Sequence, residues 1–153
     1  MEVDVATLDG DENKSDLIDG NIGEGSRFHE TYGFYAQGVS LKTASLPAGW
    51  RERLVVLENE RTRPGRGFCL EPHDCVASKL VAGRTKDYEF GAALVKAGLI
   101  KLEVLKARIG MLDIDPTSRE VIVTWLEGQR RLRGAPAAGR GSRGKPARPP
   151  TRK

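Results

Sequence analysis

The chain has few cysteines, few aromatic residues and no long apolar run. Among its 153 residues are two cysteines, and Phe, Trp and Tyr together make up 6%. Two cysteines cannot build the disulfide framework of a small secreted protein. The longest aliphatic run, Leu54 to Leu57, has four residues, whereas a membrane-spanning helix needs about 20. The N-terminus is acidic, unlike that of a signal peptide. Together these features predict a soluble cytoplasmic protein with no membrane partner.

Charge is divided unevenly along the chain. The formal net charge is +4, but residues 130–153 hold nine basic residues and no acidic one, so residues 1–129 carry about −5. The last twenty residues combine glycine, proline and basic side chains with no large apolar residue, so they have nothing to bury. We therefore predict one domain over residues 1–130 and a disordered basic tail over residues 131–153.

The first half of the chain has the patterns of short strands. Residues 1–9 alternate with period two, which predicts a strand, and residues 13–22 predict a short helix. We expect residues 28–39 to be irregular chain leading into a short strand. Leu54–Leu57 predicts a buried strand, and Phe68–Leu70 predicts a second strand that forms a hairpin with it across a long loop.

In the second half the apolar period changes to that of helices. Four helices are predicted, over residues 72–82, 85–97, 102–109 and from Pro116 onward, the last with Asp115 as its N-cap. In the second of these helices, Phe90, Ala93, Leu94 and Ala97 are expected to face the core. Strands followed by helices indicate an α+β fold, with a small mixed sheet and then a C-terminal bundle of about four helices.

Two acidic residues of the first strand are candidate metal ligands. Glu2 and Asp4 are two residues apart, so on a strand both carboxylates project from the same face. Mg²⁺ prefers oxygen ligands and commonly takes one or two carboxylates together with substrate phosphates. The alternative is an ordinary exposed strand face, where carboxylates are also common.

Lys79 and Asp87 lie near the apolar stripes of two adjacent predicted helices. A charge in such a position needs a partner, because an unpaired buried charge is costly. In one interpretation the two residues pair with each other across the Gly83 turn and fix how the helices dock. In the other, Lys79 faces a cleft and binds a phosphate.

The histidines and cysteines do not form a recognisable metal or nucleophile motif. Cys69, His73 and Cys75 are close in sequence, but their spacing matches no zinc-binding pattern. We therefore expect both cysteines to be small core residues. Hydrolase and phosphate-loop motifs are also absent from the sequence.

Several local patterns together resemble a known family. They are Leu-Pro-Ala-Gly-Trp-Arg-Glu-Arg-Leu at 46–54, Glu-Pro-His-Asp-Cys-Val-Ala-Ser-Lys-Leu-Val-Ala-Gly-Arg at 71–84, Lys-Asp at 86–87 and Phe-His-Glu-Thr-Tyr-Gly-Phe-Tyr-Ala-Gln-Gly-Val at 28–39. In these segments the chain resembles small bacterial nucleotidyltransferase-like proteins of unassigned role, which are similar to the nucleotidyltransferase-type toxins of abortive-infection systems. The likeness extends over residues 1 to about 128.

The resemblance implies a role for each candidate residue. Glu2-Val3-Asp4 would occupy the Asp-x-Asp position that binds Mg²⁺ and the nucleoside triphosphate, with Asp4 also acting as the catalytic carboxylate. Lys79 and Arg84 would contact substrate phosphate. Asp87 would support them from the second of the four predicted helices. The implied reaction is metal-dependent nucleotidyl transfer.

The resemblance also implies a segment that precedes the metal-binding strand in the family. That segment holds a strand, a glycine-serine turn and a helix that cradles the triphosphate, and this chain begins at the next strand. We therefore expect an N-terminally truncated relative, active as an enzyme only if the native protein supplies the segment. The alternative is a non-catalytic binding module of toxin–antitoxin type, with an antitoxin-like protein partner and a basic tail that binds nucleic acid non-specifically.

Overall fold

A computed structural model describes residues 2–134. Its elements, in chain order, are β1 (Glu2–Val5), α1 (Glu12–Ile22), α2 (Arg27–Tyr32), β2 (Tyr35–Gly38), β3 (Val55–Leu57), β4 (Gly67–Cys69), α3 (Pro72–Ala82), α4 (Thr85–Lys96), α5 (Leu102–Gly110) and α6 (Pro116–Gly134), with short 3₁₀ turns at Leu41–Thr43 and Trp50–Arg53. The α+β class is confirmed. The strands form two separate two-stranded sheets, parallel β1–β2 and antiparallel β3–β4.

The last helix and the predicted tail overlap. The Asp115 carboxylate accepts a hydrogen bond from the Ser118 backbone N–H at 2.9 Å, as expected of the N-cap. Helix α6 then continues to Gly134, so residues 131–134 are helical rather than part of the tail. The rest of the predicted tail, residues 135–153, lies outside the described residues. Within residues 2–134, no helix has the length and apolar character needed to cross a membrane.

The parallel sheet is held by a close approach to α1. The β2 residue Gly38 donates its N–H to the Asp19 carboxylate at 2.6 Å. A Cβ on Gly38 would lie 2.3 Å from the backbone oxygen of Ser15, so only glycine permits this spacing between strand and helix. The expectation of irregular chain before β2 was wrong for Arg27–Tyr32, which form α2. The Ser26 hydroxyl caps this helix, and Gly33 ends it in the left-handed conformation.

The β3–β4 hairpin is confirmed, but it is not buried. The three β3 side chains are each about half exposed, at 51%, 53% and 50% for Val55, Val56 and Leu57. An unbroken aliphatic run usually indicates a strand that is buried on both faces. The exposure of these side chains shows that the prediction of a buried strand was wrong. Here β3 pairs with β4 alone, in a sheet of two strands.

The core lies among the four C-terminal helices. Its buried members are Val76, Ala77, Leu80, Val95, Ile100, Leu105, Ile109, Leu112, Ile122 and Leu126. On α4 the buried positions are Asp87, Gly91 and Val95. The predicted core face was wrong for Phe90, Ala93 and Ala97, which are exposed, and right for Leu94, which is partly buried and packs against the core. A Cβ on Gly91 would lie only 3.1 Å from the Trp125 ring. Helix α4 therefore packs against Trp125 through the face that carries Gly91, where the absence of a side chain permits a close approach, rather than through Phe90.

A fully buried carboxylate connects two helices and the segment before β3. Asp74, in the first turn of α3, is 0% exposed. The Nε and Nη2 atoms of Arg53 donate to its two oxygens at 2.7 and 3.2 Å, and the Nε atom of Arg108 on α5 lies 3.0 Å from Oδ1. Arg53 also donates to the backbone oxygen of Ala48 at 3.0 Å. One acidic side chain on α3 thus connects this helix both to α5 and to the segment that precedes β3.

We predict that Asp74→Asn lowers the free energy of unfolding by about 3 kcal/mol, because two largely buried guanidinium groups lose the carboxylate that they share. Urea unfolding followed by far-ultraviolet circular dichroism measures the change. The exposed α1 residue Asp16 supplies the matched control, and Asp16→Asn should change stability by less than about 0.5 kcal/mol. Equal stability of the two variants would contradict the role given to Asp74.

Candidate functional site

One face of the parallel sheet carries polar side chains from both strands. The register places Glu2 beside Tyr35 and Asp4 beside Gln37, and residues two apart on a strand share a face. The Tyr35 hydroxyl lies 3.5 Å from the Glu2 carboxylate. The pKa of Tyr35 is raised, first by burial and then by the negative charge of Glu2. Tyr35 and Gln37 were missed as site residues because only the register of β1 against β2 brings them there.

Helix α3 supplies a cation to this face. The Lys79 ammonium lies 3.5 Å from the Asp4 carboxylate, although the two residues are 75 positions apart. The same ammonium lies 5.7 Å from the centre of the Phe90 ring on α4, within the range of a cation–π contact. Lys79 is therefore held between the first strand and the α3–α4 pair.

The second cation, Arg84, stands at the start of α4 and is held by Asp87. Its Nε and Nη2 atoms donate to the buried Asp87 carboxylate at 2.7 and 3.3 Å, and its backbone N–H donates to the same group at 3.3 Å. These hydrogen bonds raise the pKa of Arg84, with smaller contributions from the charges of Asp4 and Glu2. Arg84 is therefore within electrostatic reach of the acidic pair on β1.

Of the two interpretations of Lys79, the one that pairs it with Asp87 was wrong. Asp87 bonds instead to Arg84, three residues earlier in the same turn, while Lys79 reaches Asp4. The physical reason is geometric: the α4 N-terminus places both the backbone and the side chain of Arg84 against Asp87, in the manner of a capping box. The acidic partner of Lys79 thus lies on β1, and its contact with α4 is to the Phe90 ring rather than to Asp87.

Lys79 thus contacts Asp4, with Glu2 on the same strand face and Arg84 within electrostatic reach. We name Glu2, Asp4, Lys79 and Arg84 the β1–α3 cleft. Both acidic side chains are exposed and share one face. Within residues 2–134 no group of three or more His, Cys, Asp or Glu side chains is placed to hold a metal. Two carboxylates alone still fit Mg²⁺ when phosphate oxygens complete its coordination. The adjacent lysine and arginine suit the phosphates of such a ligand.

The remaining chemistry-bearing residues lie elsewhere. Cys69 is exposed and Cys75 is partly buried, so the expectation that both are core residues was wrong for Cys69, which lies on the uncovered hairpin. His73 has a structural role: its Nδ1 contacts the Glu71 carboxylate at 2.6 Å and its Nε2 accepts the Lys101 N–H at 2.9 Å. These contacts connect the start of α3 to the start of α5.

No protein-family model, curated protein or solved structure matches the chain. The geometry of the β1–α3 cleft is therefore the basis on which a function is proposed below.

We predict a pH-dependent contribution of Asp87 to stability. Burial raises the pKa of this carboxyl group, but the hydrogen bonds and charge of Arg84 outweigh burial, and the net pKa is lowered. A carboxyl group with a lowered folded-state pKa stabilises the protein above its unfolded-state pKa of about 3.9. The stabilisation is lost as the pH falls through the folded-state value.

At pH 6 the free energy of unfolding of Asp87→Asn should therefore be about 1 kcal/mol lower than that of the unmodified protein, because a carboxylate at the start of a helix is lost. This difference should shrink as the pH is lowered below about 4. Urea unfolding across the pH range provides the measurement, and the exposed α4 variant Glu89→Gln is the control. A difference that stays constant from pH 6 to pH 3 would rule out the Arg84–Asp87 ion pair as its source.

Proposed function

We propose that the β1–α3 cleft serves Mg²⁺-dependent nucleotidyl transfer, as the resemblance to nucleotidyltransferase-like proteins implies. The observation that carries the proposal is the contact between Lys79 and Asp4, with Arg84 in electrostatic reach. Residues distant in sequence thereby combine an acidic pair with two phosphate-binding cations. A nucleoside triphosphate complexed with a divalent cation has the complementary charges.

Each residue of the cleft has a distinct part in this proposal. Glu2 and Asp4 would hold Mg²⁺, which when bound supplies charge neutralisation at the phosphate oxygens. Lys79 would exchange its contact with Asp4 for a phosphate oxygen, because it is a flexible point charge. Arg84 would bind phosphate with the guanidinium edge that Asp87 does not occupy. Asp87 positions Arg84 and touches no substrate.

The proposal predicts that Asp4→Asn abolishes Mg²⁺-dependent binding and transfer of nucleotide without unfolding the chain. Asp4 is exposed, so its neutralisation should leave stability nearly unchanged while removing half of the metal-binding charge. Isothermal titration with MgATP measures binding, and incorporation of label from α-³²P-nucleoside triphosphates into a bacterial extract measures transfer.

Asp16→Asn, an equally exposed carboxylate outside the cleft, is the matched control and should behave like the unmodified protein. Lys79→Gln should weaken MgATP binding about tenfold or more, since charge-assisted phosphate contacts contribute roughly 1.5–3 kcal/mol each. If Asp4→Asn and Asp16→Asn bind and transfer equally well, the enzymatic proposal fails.

A non-catalytic binding module is the second candidate, and one observation favours it. Asp4 already has a cationic partner in Lys79, an ion pair that stabilises a cleft without a metal. In this candidate the protein, placed in the cytoplasm, binds an antitoxin-like protein or nucleic acid. The exposed arginines at the end of α6, Arg130, Arg131 and Arg133, lead directly into the basic sequence of residues 135–153.

The binding candidate predicts salt-dependent, sequence-indifferent affinity for RNA. Fluorescence anisotropy with a labelled single-stranded RNA should show affinity falling steeply between about 50 and about 200 mM salt, because bound phosphates release counterions. Deleting residues 135–153 should reduce the affinity and flatten the salt dependence.

The matched control changes the six basic residues of 135–153 to serine and keeps the length of the segment. It should weaken binding as much as the deletion does. Undiminished RNA affinity in both variants would show that the basic segment does not contribute to RNA binding.

A further inference from the structure

Three aromatic rings are clustered at the surface beside the parallel sheet. Phe28 and Tyr32 lie one turn apart on α2, and Phe34 directly precedes β2. The Phe28 ring centre lies 4.8 Å from that of Tyr32 and 5.1 Å from that of Phe34. None of the α2 residues is buried, and Tyr32 and Phe34 are 62% and 41% exposed. We name Phe28, Tyr32 and Phe34 the α2 aromatic face, which offers π surface to a cation.

The part of the chain that carries this face is strongly acidic. Residues 1–34 hold nine acidic and two basic residues, a formal net charge of −7. One of the two basic residues, Lys14, forms an ion pair with Asp9. Residues 35–134 hold twelve acidic and seventeen basic residues, a formal net charge of +5. A cationic partner is therefore attracted to the N-terminal part of the chain and repelled by the rest of the described residues.

Negative charge also acts close to the aromatic face. Tyr35 directly follows Phe34, and its pKa is raised first by burial and then by the charges of Glu2 and Glu24. Glu30, which lies on α2 between two of the rings in sequence, is exposed. A cation placed over these rings would therefore be stabilised both by the π systems and by nearby carboxylates.

A segment of matching chemistry belongs to the same chain. Residues 135–153 contain six basic residues, four of them arginine, and no acidic one. Arginine is the cation most often found over aromatic rings. A segment of this length extends up to about 60 Å, whereas a body the size of residues 2–134 has a radius of gyration of about 14 Å. The segment is therefore long enough to reach α2 from the end of α6.

We propose that residues 135–153 dock on the α2 aromatic face of the same molecule, with arginine side chains over its rings and close to the carboxylates of residues 1–34. Each cation–π contact is weak at an exposed position, but tethering gives the segment an effective concentration of about 1 mM. RNA and the aromatic face then compete for the same basic residues. The docking rests on neither candidate function, since it involves no nucleotide and no RNA.

The first test follows the three tyrosine rings in the full chain labelled with ¹³C-tyrosine, and Tyr35→Phe and Tyr88→Phe variants assign the signals. Changing the six basic residues of 135–153 to serine should move the Tyr32 signal. The signal of Tyr88, which packs against the helical core, should stay in place. Raising the salt concentration to about 0.5 M, where the Debye length is about 4 Å, should move the Tyr32 signal of the unmodified protein in the same direction.

Trypsin cleavage after Arg140 and Arg143 gives a second readout, because a docked segment is protected. Phe34→Ser should raise the initial cleavage rate about threefold, the effect of losing one exposed cation–π contact, and Tyr32→Ser should act in the same way. Phe34→Tyr, which keeps a ring, should leave the rate unchanged. Phe68→Ser on the β3–β4 hairpin is the matched control, since Phe68 is 46% exposed, and it should also leave the rate unchanged.

Thermal unfolding checks that every variant is folded. A Tyr32 signal that is the same in the unmodified and six-serine proteins would overturn the proposal, and so would equal cleavage rates for Phe34→Ser and Phe68→Ser. A Tyr32 shift that disappears on dilution would place the segment on a second copy of the chain and would overturn docking within one molecule.

Discussion

The buried carboxylate of Asp74 is shared by two arginines. The relative positions of α3, α5 and the segment before β3 depend on it. A buried charge is tolerated only when its partners satisfy it closely. Arg53, before β3, hydrogen-bonds to both carboxylate oxygens, and the Arg108 Nε on α5 lies 3.0 Å from Oδ1 as an ion contact. Removing Asp74 would leave both guanidinium groups without this carboxylate, which is why the arrangement depends on it.

The same helix carries the central residue of the candidate site. Lys79 follows Asp74 by five residues on α3, a rise of about 7.5 Å along the helix axis. The anchoring of α3 at Asp74 therefore sets where the Lys79 ammonium lies relative to β1. At the next turn, Asp87 performs a similar task for Arg84 through hydrogen bonds to its backbone and its side chain. Two buried aspartates thus position the two cations of the cleft.

The cleft can act in either of the two ways proposed because Asp4 has a cationic partner without a ligand. Lys79 neutralises Asp4 in the free protein, which stabilises the cleft but also competes with a metal ion. Binding of a phosphate would draw Lys79 away and release Asp4. The catalytic and non-catalytic candidates differ in whether this exchange takes place.

The amino-acid sequence by itself determined the local elements, because caps, glycine stops and apolar periods act within a few residues. Asp115 and Gly83 mark helix ends as predicted, and the α+β class follows from the order of patterns. Only the tertiary structure decided which partners charged residues have and which face of α4 is buried. One position on a helix is a rotation of about 100°, so a close approach at Gly91 is enough to turn Phe90 outward. Likewise, Lys79 meets Asp4 rather than Asp87 because long-range packing brings β1 to α3, and no local pattern encodes that contact.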